Sequence, residues 1–175
     1  MLKSMLATLS CALLLSLTAC NSSEPTTPEN KPAAPAAPAA TPVPDVTYGD
    51  GFSPMESAPN GNTWRWMAET GTIQLKNKGK DMRLLVKGEV PAGSLNGPAK
   101  VTIKFNGEQL EQVTANKENP AVEKEFTIPA AKQTGEYSQL TIQSDKYFIP
   151  KVLDKQSSDD RKLSFSLTKL EWAAK

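Results

Sequence analysis

Trp64-Arg65-Trp66 is the densest chemical cluster in this chain, and Trp172 supplies the third indole. On a strand, Trp64 and Trp66 share one face while Arg65 points to the other. Two such indoles, with Tyr48 nearby in sequence, suit a stacking platform for sugar rings or an aromatic anchor for a protein partner. The same pair suits the plugged end of an all-β core. In that arrangement each ring N–H needs an acceptor, and Arg65 faces outward with Asp159, Asp160 or Glu56 as its partner.

Carboxylates are the next resource. Glu123 and Glu125 stand at i and i+2 on one strand face, about 7 Å apart, a spacing that a carboxylate-only glycoside hydrolase can use. Lys100, Thr102 and Lys104 alternate outward on another strand, so a solvated, salt-bridged surface is the simpler account of such faces. Asp159 and Asp160, joined by Asp45, Asp50 and Asp154, are candidate oxygen ligands for Ca²⁺, although no consecutive calcium-loop motif is present and Asp is also a common turn former. Histidine is absent from all 175 residues. That removes the commonest general base, the usual zinc ligand and every Ser-His or Cys-His nucleophilic pair. The expected activity is therefore binding, not turnover, with no cofactor.

The elements that must position these groups begin at about residue 45. From there to Lys175 the apolar residues alternate: Ile73 and Leu75; Met82, Leu84 and Val86; Val101, Ile103 and Phe105; Phe126 and Ile128; Leu140 and Ile142; Leu163, Phe165 and Leu167. Period two buries one face of each strand. Asn106-Gly107 between two alternating runs predicts a type I′ hairpin. Val90-Pro91, Asn96-Gly97-Pro98, Asn119-Pro120, Ile128-Pro129 and Ile149-Pro150 punctuate the remainder. After Leu167 the phase slips, with Leu170 and Trp172 out of register, which predicts a bulge near Thr168-Lys169. About eight short strands in 130 residues, each with one greasy face, require a second layer. The expected fold is an all-β, two-sheet antiparallel sandwich, with a jelly roll as first choice and an immunoglobulin-like Greek key as second.

The order Gly51-Phe52, Glu56, Trp64-Arg65-Trp66-Met67, Gly107, Phe126-Thr127-Ile128-Pro129-Ala130, Leu140-Thr141-Ile142, Asp145, Phe148-Ile149-Pro150, Asp159-Asp160-Arg161-Lys162-Leu163 and Leu170-Glu171-Trp172 resembles a family of bacterial envelope β-sandwich domains. These domains are similar to galactose-binding or carbohydrate-binding jelly rolls and occur in lipoproteins and beside glycosyltransferases. The resemblance covers the whole globular part and carries no ligand residue across.

Ahead of this domain the chain has two other characters. Lys3 precedes an apolar run from Met5 to Leu17, and Leu17-Thr18-Ala19-Cys20 closes it. About 13 apolar residues are too few for the ~20 of a membrane-spanning helix and have signal-peptide anatomy. The four closing residues resemble the lipobox of bacterial lipoproteins at every position. That resemblance implies a signal peptide over 1–19, diacylglycerol in thioether linkage on Cys20, cleavage before it and acylation of the new amino terminus. Several acyl chains anchor stably where one does not. Asn21, in place of Asp, implies sorting to the outer membrane in a Gram-negative host.

Residues 20–44 hold half of the 14 prolines, interleaved with alanine and free of aromatic residues, which is the composition of a disordered, partly polyproline-II linker. Fully extended it reaches about 70 Å. Of the 20 basic residues only Lys3 precedes Cys20, so 19 basic residues face 19 acidic ones in the expected mature chain. That balance offers no field for nucleic acid. Cys11 leaves with the signal and Cys20 is consumed by lipid, so the domain at 45–175 has no thiol for a disulfide. The reading is a membrane-anchored envelope lipoprotein whose sandwich binds glycan or envelope polymer. An assembly lipoprotein docking on another envelope protein is the alternative, and a hydrolase working with carboxylates alone is the third reading.

Overall fold

A computed structural model describes residues 44–175. The signal segment, the lipidation candidate Cys20 and the Pro/Ala-rich stretch up to residue 43 lie outside the described residues. Ten strands follow in order: β1 (Val46–Tyr48), β2 (Phe52–Ser57), β3 (Thr63–Met67), β4 (Thr70–Lys76), β5 (Met82–Glu89), β6 (Ala99–Phe105), β7 (Glu108–Ala115), β8 (Ala121–Ile128), β9 (Tyr137–Ser144) and β10 (Phe165–Ala174). The only helical pieces among the described residues are a turn at Ala130–Lys132 and α1 at Pro150–Leu153.

The strands form two five-stranded antiparallel sheets, β1-β4-β9-β6-β7 and β2-β3-β10-β5-β8. The pairing is nested. The β6–β7 hairpin is the tip, and β5 pairs β8, β4 pairs β9 and β3 pairs β10. One long antiparallel ribbon is thus wrapped so that its successive strand pairs alternate between two sheets, which is the jelly roll and not the immunoglobulin key. Strands β1 and β2 extend the outer edges beside β4 and β3.

Local sequence explains both ends of this ribbon. At the tip, Asn106 (φ 48°) and Gly107 (φ 84°) both take the left-handed conformation of the type I′ turn. At the closing strand, register shifts between Leu167 and Lys169, so Leu167 faces Gly88 while Leu170 faces Val86 and Trp172 faces Leu84. The bulge brings Leu170 and Trp172 back to the inner side. The core between the sheets is made by Ile73, Leu75, Leu84, Val86, Ile103, Phe105, Leu140, Ile142, Phe165 and Leu167, all buried. Phe126, expected in it, is half-buried and packs against its margin. Trp172 closes one end, 6.1 Å from Phe105, with its indole N–H donated to the Lys76 carbonyl at 2.8 Å.

Gly88 marks a close approach. A Cβ there would lie 2.2 Å from Phe165 Cζ and 2.4 Å from the Ser166 carbonyl oxygen, so the bare backbone lets Phe165 of β10 lie against β5.

Candidate functional site

Parity along β3 decides what each side chain of the aromatic cluster can do. Met67 pairs with Phe165 and Arg65 with Leu167, and Met67, Phe165 and Leu167 are all core residues. Trp66 pairs with Ser166 and Trp64 with Glu56, on the opposite side of the sheet. Both indoles therefore lie on the outer face, half-buried, and neither plugs the core.

Arg65 turns inward, which corrects its expected outward place beside Asp159, Asp160 or Glu56. Its guanidinium carbon lies 4.4 Å from the ring centre of Tyr48, from the facing sheet, and it donates to the Ser53 carbonyl at 3.1 Å. Among the described residues it meets no carboxylate. The ring face supplies the negative side of the quadrupole instead. Burial pushes the Tyr48 hydroxyl above its ordinary pKa, and the neighbouring Arg65 charge pulls partly the other way. Tyr48 is thus a partner of Arg65 and not a member of the Trp64–Trp66 face, although Tyr48, Arg65 and Trp64 share a small cleft of about 60 Å³. The parity was ambiguous in the sequence because both phases of Trp64-Arg65-Trp66-Met67 offer apolar residues. Met67 and the close packing of Phe52 and Met67 over Gly71 select this one.

Trp64 and Trp66 line an open groove of about 630 Å³. The turn at Ala58, Gly61, Asn62 and Thr63 borders it on one side, and Glu89, Ser166 and Thr168 border it on the other. Ser166 and Thr168 donate their hydroxyls to the Glu89 and Lys87 carbonyls, both at 3.2 Å, which leaves oxygen lone pairs as acceptors. The Asn62 side-chain amide has no partner among the described residues. Phe148 meets Trp66 edge to face at 6.2 Å and braces it from the long loop between β9 and β10. That loop is pinned by Arg161, which is held bidentately by Asp159 and reaches Glu56 on β2 at 2.8 Å. Hydrogen bonds from Arg161 hold the Asp159 carboxyl below its usual range, and the same bonds raise the guanidinium further.

Trp64 is less settled than its neighbour. Its ring nitrogen is sealed from solvent and donates to nothing in the described residues. Such an orphan donor costs about 1–3 kcal/mol. The polar rim of this groove, namely Asn62, Thr63, Glu89, Ser166 and Thr168, was missed in sequence. The recoverable signals were the Asn60-Gly61-Asn62 turn and the register that sets Ser166 beside Trp66.

The remaining sequence candidates fall away from this groove. Glu123 and Glu125 share the same outer sheet face, but Glu123 is bound to Lys87 at 2.5 Å and Glu125 to Arg83 at 3.2 Å. Glu171 joins the ladder between Arg83 and Lys169. Leu85, buried on this outer face, stands in register between Glu125 and Glu171. This is the salt-bridged surface that the alternation of charged residues predicts. The five aspartates proposed for Ca²⁺ do not converge. Asp45 pairs with Lys78 at 2.6 Å, Asp50 sits in the β1–β2 turn, Asp154 caps the backbone of Gln156, and Asp159 is taken by Arg161. No group of three metal-binding side chains forms among the described residues, and Asp160 is exposed.

No family model and no curated protein matches the chain. Solved structures resemble it distantly. The EclA C-terminal domain, a sugar-binding protein, is 14% identical with a TM-score of 0.41, over 82% of this chain and 88% of that one. A family 35 carbohydrate binding module from an environmental isolate is 8% identical with a TM-score of 0.40, over 74% and 92%. TmCBM61, solved with β-1,4-galactotriose, is 9% identical with a TM-score of 0.41, over 74% and 87%. At this distance no ligand residue transfers.

Proposed function

We propose that this domain is a non-catalytic glycan-binding module, held at a bacterial envelope membrane by lipid on Cys20. The observation that carries the binding part is the pair Trp64 and Trp66 on the outer sheet face, lining an open groove whose other walls are hydroxyls, an amide and one carboxylate. Indole faces stack on sugar C–H groups and fixed polar groups orient the ring hydroxyls, which is the mixture a carbohydrate site requires. The anchoring part rests on the Leu17-Thr18-Ala19-Cys20 pattern alone.

The test is titration of the 45–175 fragment with soluble oligosaccharides, followed by tryptophan emission. Saturable shifts that vanish in Trp64→Ala and Trp66→Ala, with the urea midpoint nearly unchanged, are expected. Binding that survives both substitutions overturns the groove as the site. For the anchor, Cys20→Ala should move the full chain out of the detergent phase, and equal retention of the variant there rules out lipidation.

An assembly role has its own observation. The β9–β10 loop exposes Val152 at 73%, Leu153 at 60% and Tyr147 at 39%, a small apolar tip suited to contact with another envelope protein.

A further inference from the structure

The groove carries one unbalanced charge, and its sign limits which glycan the site can hold. Its lining residues include no lysine or arginine, while Glu89 brings a carboxylate to the rim. The cations that share this sheet face are committed elsewhere, Lys87 to Glu123, Lys169 to Glu171 and Arg83 to Glu125 and Glu171, as is Arg161, held by Glu56 and Asp159. Lys117 shares only the adjoining cleft with Glu89, does not line this groove and forms no ion pair among the described residues. The Glu89 carboxylate has no partner among the described residues, while its backbone carbonyl accepts from the Ser166 hydroxyl. A ligand in the groove therefore meets two indoles, whose rings are electron-rich on their faces, and a free carboxylate together. Both attract an ammonium group, the first through the ring quadrupole and the second through charge. Both repel a uronate, sulfate or phosphate.

We infer that the groove takes amine-bearing sugar chains, such as de-N-acetylated hexosamine oligomers, in preference to their N-acetylated counterparts, and disfavours polyanionic glycans. The inference rests on the glycan-binding reading of the same groove and adds the charge of the ligand to it. The selection is of ordinary size, because Glu89 is exposed and an exposed ion pair is screened by solvent.

The experiment compares glucosamine, N-acetylglucosamine and galacturonate oligomers of equal length in mildly acidic buffer, where the sugar amines are protonated, with tryptophan emission as readout. The glucosamine oligomer should bind about three- to fivefold more tightly than the N-acetylated one, the usual size for one exposed charge contact, and the galacturonate oligomer should bind most weakly of the three. Glu89→Gln should level the first two without changing the urea midpoint, and added salt should narrow the gap in the parent protein. Equal affinity for the first two, or a preference unmoved by Glu89→Gln, overturns the charge selection while the glycan reading stands. Absence of emission change with all neutral and amine-bearing sugars overturns both.

Discussion

Trp172 and Trp64 are the same side chain under opposite terms, and the contrast separates what the fold needs from what the surface offers. Trp172 is 8% exposed, lies against Phe105 between the sheets and gives its N–H to the Lys76 carbonyl. Trp64 stands on the outer face, contributes to the wall of an open groove, and hides an N–H that nothing accepts. A buried indole with its donor satisfied is a structural part. An indole held at a surface with its donor unsatisfied is a cost the fold tolerates without structural return, and such groups concentrate where binding occurs.

The largest effect that can break this comparison is truncation at each place. Trp172→Ala opens a cavity at the end of the core and should cost about 3–5 kcal/mol, read as a fall in the urea midpoint. Trp66→Ala removes one edge-to-face contact with Phe148 and should cost no more than about 1.5 kcal/mol. If Trp66→Ala unfolds the domain as Trp172→Ala does, the outer-face indoles are structural and the groove loses its role.

A smaller effect tests the donors themselves. Trp172→Phe breaks the bond to the Lys76 carbonyl and should lose about 1–3 kcal/mol. Trp64→Phe removes the orphan donor while keeping an aromatic face, so stability should hold or rise by up to about 1 kcal/mol. A loss at Trp64 equal to that at Trp172 would mean that the Trp64 nitrogen has a partner, such as a bound water.

Much of this architecture was legible because period-two burial leaves a plain trace. The alternating runs, the Asn106-Gly107 hairpin and the slip after Leu167 read directly as strands, a turn and a bulge, and their number requires two sheets; the choice of jelly roll over immunoglobulin key is settled by the nested pairing of β3 with β10, β4 with β9 and β5 with β8. The site was less legible. Which face of β3 looks inward depends on Met67 meeting Phe165 and on Gly71 leaving room for Phe52 and Met67, contacts between residues far apart in sequence. The outward expectation for Arg65 follows from placing the two indoles in the core, since alternation along the strand then turns it out. The ring of Tyr48 and the carbonyl of Ser53 make the inner position tenable. For the aspartates, composition shows how many carboxylates exist, and only geometry shows that Lys78 and Arg161 already hold two of them.

The smallest predicted effect sharpens the comparison through pH. The Asp159–Arg161–Glu56 clamp fastens the loop that sets Phe148 against Trp66, whereas Trp172 is held by Phe105 and the Lys76 carbonyl. Hydrogen bonds from Arg161 lower the folded pKa of Asp159 from its ordinary 3.8. A group depressed in the folded state stabilises fully above its unfolded value and loses that contribution as pH falls through the folded one. The clamp should therefore hold at neutral pH and open only in acid below about 3.8. Because these groups are partly exposed, the change in global stability should be slight, and local emission is the better probe. In a variant retaining Trp66 as its only tryptophan, emission should shift in that acid range, and Asp159→Asn should produce the same shift already at neutral pH. In a variant retaining only Trp172, emission should stay constant until the whole domain unfolds. Simultaneous change in both reporters would show that the loop and the core open as one unit, and would remove the division between a rigid structural indole and a braced surface one.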